Sequence, residues 1–323
     1  MSFTNELAGF DAIQDRTISE VILENFVSFY DWGLLNKGGY VNVSKPFSGM
    51  HSASKHLFKP VNYNGYSLGQ VWQTSRQKWV WETGINKTTQ PIDISGIYVG
   101  SSFLPYTYNS SSGHYVGASG YRLDFENGML FFNNGVSSST QISMNYSYKW
   151  VDVSRADGFD FFRKIQTLSF NDEDNFITTS GDYAILGNKR VQLPALLIEA
   201  PDNMYNSPVQ LGGGQYVNSD VLVYSIGENY TTSKNLLDYV LYQNDRDIRL
   251  YDVNGVYRNR QLPTTHNGDL INKEYSYPYI LENNFYGNCQ ISKTRIEKPV
   301  QLSDSLFIGT GRFSTKIEMI NLP

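Results

Sequence analysis

The segment Gly65-Tyr66-Ser67-Leu68-Gly69 is the part of the sequence closest to a catalytic motif. A G-x-S-x-G pattern places a nucleophilic serine on a sharp turn between a strand and a helix, with aspartate and histidine partners later in the chain. Here a turn-like run, residues 59–64, precedes Ser67, and strands and helices do not alternate around it. His266 is formally available as a base, but nothing in its surroundings marks it. So short a pattern matches by chance in a chain with 27 glycines, and we do not predict a hydrolase.

Metal and phosphate chemistry find no better support in the sequence. The four histidines are scattered through polar segments: His51, His56, His114 and His266. The first two are five residues apart, whereas two ligands on one helix face are four apart. The acidic run 172–174 lacks the glycine and terminal glutamate of a calcium loop, and residues 211–214 lack the Lys-Ser/Thr of a phosphate-binding loop. The single cysteine, Cys289, cannot form an internal disulfide or a cysteine-rich metal site. Taken together, these patterns predict no catalytic residue, no metal site and no cofactor.

Aromatic side chains are the most prominent chemistry in the sequence. They make up 15% of the residues, and Trp72, Trp79 and Trp81 cluster in residues 40–92, an irregular stretch with poor periodicity. Tryptophan is favoured at binding sites because it buries a large area at low entropy cost. The three side chains are therefore candidate interface residues, as a platform for sugar rings or an anchor for a partner. The alternative is that they cover the core of a small β-domain.

Composition and charge exclude several classes of protein. The chain has 323 residues with 26 Lys+Arg and 31 Asp+Glu, which gives a formal net charge of −5. Its hydrophobic fraction of 40% is too high for a disordered chain. Mild acidity argues against a protein that wraps nucleic acid, since that function needs clustered Lys and Arg. No window approaches the roughly 18 apolar residues of a membrane-spanning helix, and the N-terminus does not resemble a secretory signal, so we expect a soluble globular protein.

One helix is predicted in the first part of the chain, from Thr17 to about Asn36. Thr17 and Glu20 form a capping box, and Gly38-Gly39 provides the exit. Apolar residues recur between these ends at steps of three and four. Because this stripe is wide and aromatic, the helix must dock on its own domain or on a neighbouring subunit. Its aromatic members are further candidate interface residues: Phe26, Phe29 and Tyr30.

Residues 97–153 have a period of two, which is typical of an antiparallel β-domain. Residues 121–125 alternate, Asn127-Gly128 favours a tight hairpin turn, and residues 129–132 form the return strand. From residue 142 to residue 150, five apolar side chains alternate with polar ones. This alternation predicts a strand with one buried face and one solvated face.

The second half of the sequence predicts a small α+β layer. The apolar run 193–200 and residues 221–226 predict strands, and Ser233 is suited to cap a helix. Further strands are expected at 248–253, 255–257, 277–281 and 305–308, the first two around an Asn254-Gly255 turn. The predicted fold is therefore α+β and β-rich. It comprises an N-terminal helical segment (1–39), an antiparallel, β-sandwich-like domain with a long loop (40–155), and an α+β domain with a C-terminal arm (156–323).

Several segments resemble proteins of tailed bacteriophages. The second half resembles tail-terminator and neck proteins in four segments, which are residues 193–199, 211–214, 220–226 and the helix at 233–238. In those proteins a strand, a glycine-bearing connector, a second strand and a helix build a small α+β domain that assembles into a ring. The first half is similar to virion structural proteins of cyanophage-like viruses in Trp79-Val80-Trp81-Glu82, in residues 94–99, and in the hairpin ending at residues 146–149.

The resemblance implies a non-enzymatic structural subunit of a virion, assembled in the host cytoplasm. The α+β domain would be tail-terminator-like and would build a homo-oligomeric ring, expected to be a hexamer, that joins the tail to the head. Other neck and tail proteins would be its partners, DNA would pass through the lumen without specific binding, and no membrane would be involved. Helix 17–36 and the C-terminal region would contact adjacent rings. The alternative is a carbohydrate-binding or host-recognition module of the tail or baseplate, based on the Trp cluster.

Overall fold

The computed structural model describes residues 14–44, 57–156, 166–168, 190–201, 203–208, 215–303 and 306–319. His51, His56 and the runs 172–174 and 211–214 lie outside these described residues. Of the described residues, 42% are in strands and 18% in helices, with antiparallel sheets and an N-terminal helix. The predicted α+β, β-rich class is confirmed.

The predicted N-terminal helix is present as α1, Ile18–Asn36. The Thr17 side chain accepts a hydrogen bond from the backbone N–H of Glu20 at 3.5 Å, as the capping box requires. Gly38, with φ of +89°, lies just beyond the helix, in a conformation that favours glycine. The apolar stripe of α1 packs on a sheet of its own chain. Of the two alternatives, docking on its own chain or on a neighbouring subunit, the first is therefore correct.

The first half builds an eight-stranded antiparallel sheet in the order β2-β3-β8-β7-β6-β5-β4-β9. Its strands are β2 (Lys59–Pro60), β3 (Val71–Gln73), β4 (Gly96–Val99), β5 (Ser102–Asn109), β6 (His114–Gly117), β7 (Tyr121–Asp124), β8 (Met129–Phe132) and β9 (Ile142–Met144). A separate two-stranded pair, β1 (Tyr40–Val43) with β10 (Tyr146–Lys149), lies beside it. The predicted hairpin is β7–β8, with Tyr121 opposite Phe132. Gly128 in its turn has φ of +62°, and an added Cβ would lie 2.5 Å from the Arg76 carbonyl oxygen, so the turn requires glycine.

The strand predicted from residue 142 to residue 150 differs from expectation in two ways. It is divided into β9 and β10, which belong to different sheets. Its polar positions are not solvated, since Ser143 and Ser147 are buried. The backbone N–H of Val80 donates to the Ser147 carbonyl, and the Ser147 hydroxyl donates to Asn42 at 2.6 Å. The irregular stretch after β3 therefore covers the face that alternation assigned to solvent.

The second half builds another eight-stranded sheet, with β11-β14-β16-β20-β18-β17 as its main path, β15 on β16 and β19 on β20. Its strands are β11 (Asp152–Arg155), β14 (Ala195–Glu199), β15 (Met204–Pro208), β16 (Gln215–Gly227), β17 (Arg246–Tyr251), β18 (Phe285–Ile296), β19 (Val300–Ser303) and β20 (Leu306–Met319). A further parallel pair consists of β12 (Gln166–Leu168) and β13 (Arg190–Gln192). Helices α1 and α2 (Tyr230–Leu241) cover one face of this sheet, where Phe26 and Tyr30 pack on Phe313 of β20.

Several local predictions in the second half are wrong. Asn229 caps α2 and accepts from the Thr232 N–H at 2.8 Å, while Ser233 is buried inside the first turn and bonds Ser225. Residues 255–257 and 277–281 are helical, within α3 (Val253–Arg258) and α4 (Tyr277–Asn283). Val253 and Val256 of α3 are buried three residues apart, and with Ile280 of α4 they pack in one cluster with Val21 of α1. The strand expected at 305–308 is confirmed for residues 306–308, which begin the longer β20, and residue 305 lies outside the described residues.

The two large sheets meet near residue 150. Strands of the first sheet end at residue 144, and β11 already belongs to the second sheet, although the predicted boundary followed residue 155. Helix α1, predicted as part of a separate segment 1–39, shares the core of the second sheet. Charged side chains bridge the junction.

Candidate functional site

Four of the six candidate interface residues are buried in the chain itself. Trp72 and Trp79 are each 1% exposed in the core of the first sheet, and Phe26 and Tyr30 of α1 are buried against the second sheet. The interface interpretation is thus corrected for these four, because their rings are already covered by their own subunit. For Trp72 and Trp79 the alternative, that they cover a β-domain core, is correct.

The other two candidates are half-buried. Phe29 packs edge-on against Tyr30, with ring centroids 5.2 Å apart. Trp81 lines a cavity at the junction of the two sheets. Trp81 therefore combines a large aromatic surface with an unfilled space beside it.

The serine motif has no catalytic geometry. Ser67 lies in a turn between β2 and β3, and its backbone N–H donates to the Gln70 side chain at 2.6 Å. Residues 57–156 are all described, and no helix follows Ser67 within them. The described structure thus lacks the strand–turn–helix on which this motif depends.

The cavity has a volume of about 140 Å³ and lies between α1, α3, α4 and the segment Trp81-Glu82. We call it the aromatic pocket, because six of its lining side chains are aromatic: Trp32, Trp81, Tyr251, Tyr257, Tyr275 and Tyr277. Helix α1 contributes Trp32 together with Glu24, Ser28 and Asp31. These residues lie on one helix face, since they are spaced at steps of four, three and one.

The rings of the pocket pack against one another at tilted or perpendicular angles. Trp32 and Tyr277 lie 6.0 Å apart at 42°, and Tyr251 and Tyr277 lie 6.4 Å apart at 77°. The Ser28 and Tyr251 hydroxyls are 3.2 Å apart. Burial raises the pKa of Tyr251 and of Tyr277 above its ordinary value, so both remain neutral phenols at physiological pH.

Three carboxylates line the same pocket. Asp31 and Glu82 share the ammonium group of Lys149 from β10, with N···O distances of 2.6 and 2.5 Å. Glu24 pairs with Arg155 at 2.8 Å. The cluster of Asp31, Glu82 and Lys149 is almost buried and carries one more negative than positive charge when both acids are ionised.

A second cluster lies next to the first. Lys78 pairs with Glu126 and lies 3.6 Å from Asp152 of β11. Together, Lys78 and Lys149 link the first half of the chain to α1 and to the second sheet. The aromatic pocket is thus built over an ionic junction between the two halves.

Burial and charge act in opposite directions on the groups of this junction. Burial lowers the pKa of Lys149, but Asp31 and Glu82 outweigh it, and the net pKa lies above that of an ordinary lysine. For Asp31, burial is the largest influence and raises the pKa, Lys149 opposes it, and the result is about 6 against an ordinary 3.8. Asp31 is therefore a carboxyl of the pocket that titrates close to physiological pH.

We expect Asp31 to give the stability of the protein a measurable pH dependence. Because its pKa is raised in the folded state, its contribution favours folding fully below pH 3.8 and is lost as the pH rises through about 6. The shift corresponds to about 2–3 kcal/mol. Relative to Asp31→Asn, the wild-type chain should lose stability of this order between pH 4 and pH 7, measured by urea unfolding. Asp220→Asn, on the exposed sheet face, is the control, and identical profiles for wild type and Asp31→Asn would contradict the assignment.

Sequence reasoning found one residue of this pocket, Trp81, and missed the rest. Glu24, Ser28 and Asp31 were visible as a polar row at helical spacing on a helix already predicted. By contrast, Lys149 is 118 residues from Asp31, and no local pattern relates the two. The tyrosines lie on α3, α4 and their neighbours, part of which was predicted as strands.

Comparison with known proteins adds no family to this geometry: no protein-family model matches the chain, and a search of curated proteins finds no match. Within the described residues, no group of three or more His, Cys, Asp or Glu side chains is placed to hold a metal ion. The helices that the structure describes include none with the length and apolarity needed to span a membrane.

Proposed function

We propose that the protein is a structural subunit of a tailed-phage virion. In this proposal it assembles as a ring, expected to be a hexamer, at the neck or tail end, where it joins the tail to the head. The virion assignment is supported by the resemblance of residues 193–238 to tail-terminator and neck proteins. The assembly is supported by two features of the fold, the edge strand β19 and the polar face of the second sheet.

Strand β19 exposes apolar side chains at a sheet edge. Among the described strands it pairs only with β20. Val300 is 61% exposed and Leu302 is 55% exposed. Val300 lies opposite Ile308, which packs on a buried apolar cluster. An exposed apolar edge favours pairing with another chain.

The open face of the second sheet supports the same proposal. Helices α1 and α2 cover one face, while the other carries polar and charged rows. Arg312 pairs with Asp220 at 2.5 Å, and the Lys316 ammonium lies 3.7 Å from the centre of the Tyr216 ring. Such a face offers polar contacts of the kind that occur at the rim of a protein interface.

The proposed contacts differ from those expected from the sequence. Helix 17–36 was expected to contact an adjacent ring, but its aromatic stripe packs on the second sheet. The C-terminal region remains a proposed contact through β19. We therefore transfer the proposed interface from the stripe of α1 to Val300 and Leu302.

The oligomeric state tests this proposal directly. We expect light scattering to give a mass several times that of the 36.7-kDa chain, and negative-stain images to show rings. The double variant Val300→Asp, Leu302→Asp should be monomeric with an unchanged circular dichroism spectrum, because the charges occupy exposed positions. Leu68→Asp, at a site 65% exposed in the turn between β2 and β3, should assemble like the wild type. Only monomers of the wild type, both alone and with tail-tube extracts, would reject the proposal.

The alternative, a carbohydrate-binding module, retains one supporting observation. Trp72 and Trp79 cannot form a sugar platform because they are buried, whereas Trp81 lines the aromatic pocket. Saturable sugar binding on a glycan array that is abolished by Trp81→Ala would favour this alternative. Loss of binding in Trp79→Ala would not, since that residue belongs to the core.

A further inference from the structure

We propose that the aromatic pocket binds an organic cation, namely an alkylammonium or guanidinium group. This inference goes beyond the assembly of the chain and does not depend on it, because the pocket and β19 use different residues. Three properties of the pocket support it: the aromatic lining, the excess of negative charge, and the size of the cavity.

Six aromatic side chains give the pocket the chemistry of a cation cage. The face of an aromatic ring is electrostatically negative and attracts ammonium and guanidinium groups within about 6 Å of the centroid. One ring of the pocket already interacts in this way, since the Arg16 guanidinium lies 4.6 Å from the centroid of Tyr257. The tilts among Trp32, Tyr251 and Tyr277 direct ring faces and edges along more than one direction, as a cage requires.

The charges around the pocket favour a cation over an anion or a neutral ligand. Its lining includes Glu24, Asp31 and Glu82 and contains no Lys, Arg or His among the described residues. Two arginines balance Glu24 and its neighbour Glu20. By contrast, within the described residues Asp31 and Glu82 share one ion-pair partner, Lys149, and Lys78 acts on Asp31 only from a greater distance. A bound cation would neutralise the remaining charge, whereas a neutral sugar would leave it uncompensated.

The size of the pocket sets the size of the ligand. Its volume of about 140 Å³ is close to that of the engineered cavity, roughly 150 Å³, that binds one benzene molecule. This space holds the end of one Lys or Arg side chain, or a small free amine, but not an oligosaccharide. Tyr257 is an exposed residue of the lining, so the pocket reaches the protein surface.

Calorimetric titration of the full chain tests the proposal. The probes are tetramethylammonium, butylammonium and methylguanidinium at constant ionic strength, with neopentyl alcohol as an uncharged molecule of similar size. We expect saturable binding of at least one cation, with a dissociation constant on the order of millimolar, and binding of the alcohol at least about ten-fold weaker.

Two variants place the binding in this pocket. Trp81→Leu removes a ring but keeps much of the volume, and Asp31→Asn removes the excess charge while Lys149 keeps Glu82 as its partner. Each should weaken cation binding by about ten-fold. Trp150→Leu is the matched control, because Trp150 is an exposed tryptophan outside the pocket, and it should bind like the wild type. Thermal melts of all three variants show whether each is folded.

A titration with peptides shows whether the bound cation is a free amine or a side chain of another protein. A short peptide with one lysine, compared with its acetyl-lysine form, tests whether the pocket takes a side chain of another protein. The proposal is supported if the lysine peptide binds as the free amines do, or if the lysine peptide binds and its acetyl-lysine form does not.

Four results would overturn the proposal. The pocket could bind neopentyl alcohol as tightly as the cations, or bind no cationic probe saturably. Trp81→Leu and Trp150→Leu could change cation binding equally, or a sugar could bind through Trp81 where the amines do not.

Discussion

Replacing Lys149 with methionine should destabilise the folded chain by about 3–5 kcal/mol. The Lys149 ammonium lies 2.6 Å from Asp31 and 2.5 Å from Glu82, and all three side chains are largely buried. Methionine fills a similar volume but leaves two carboxylates next to each other without a cation. Removing one partner of a buried ion pair is costly because the remaining charge keeps its desolvation penalty. Urea unfolding at pH 7.5 measures the loss.

The pH dependence of this loss identifies its cause. At pH 5 the Asp31 carboxyl can take up a proton, so Lys149→Met should cost less there than at pH 7.5. Adding Asp31→Asn to Lys149→Met should restore part of the stability at pH 7.5. The control is Lys234→Met, which removes the surface pair with Asp238 and should cost less than about 1 kcal/mol. A Lys149→Met loss no larger than this control would mean that the junction is not held by the ionic cluster.

The parts of the fold that could be predicted from sequence are those whose signals lie within a few neighbouring residues. Helix α1 and the β7–β8 hairpin were predicted well because their signals, the Thr17 cap and Asn127-Gly128, act over a few residues. Ser147 was assigned to solvent because alternation along one strand says nothing of the distant segment that covers it. Helices α3 and α4 were predicted as strands because short apolar runs are compatible with both periods.

The same limit applies to the candidate site. Trp81 was identified by its residue type, but nothing local separates it from Trp79, two positions earlier. The backbone between β3 and Trp81 is irregular, with φ of +53° at Lys78, so neither the strand nor the helix period predicts which ring faces the core. The partners of Trp81 in the pocket come from α1 and from residues 251–277, and only the tertiary structure brings them together.

The strongest difference between these two tryptophans should be in stability. Trp79→Ala should destabilise the protein by about 3–5 kcal/mol, the usual cost of removing a large aromatic side chain from a core. Trp79 is 1% exposed, and its ring packs against Phe58, Phe125 and Tyr146 at centroid distances of 5.8, 6.2 and 5.6 Å. Its indole N–H donates to the Arg76 carbonyl at 3.1 Å, so the substitution removes a hydrogen bond as well.

Trp81→Ala provides the matched comparison, because the two residues have the same side chain and lie two positions apart. Trp81 is only half-buried and borders the aromatic pocket, so its removal enlarges an existing cavity instead of opening a new one. We expect a loss of less than about 2 kcal/mol, since the cost of truncation depends on the packing that is lost. Urea unfolding of the two variants at one pH measures the difference. Equal losses in the free energy of unfolding would place both rings in the core and would contradict the position of Trp81 in the pocket. A large loss for Trp79→Ala alone would show that the Trp79 ring stabilises the fold, whereas the Trp81 ring is available to a ligand.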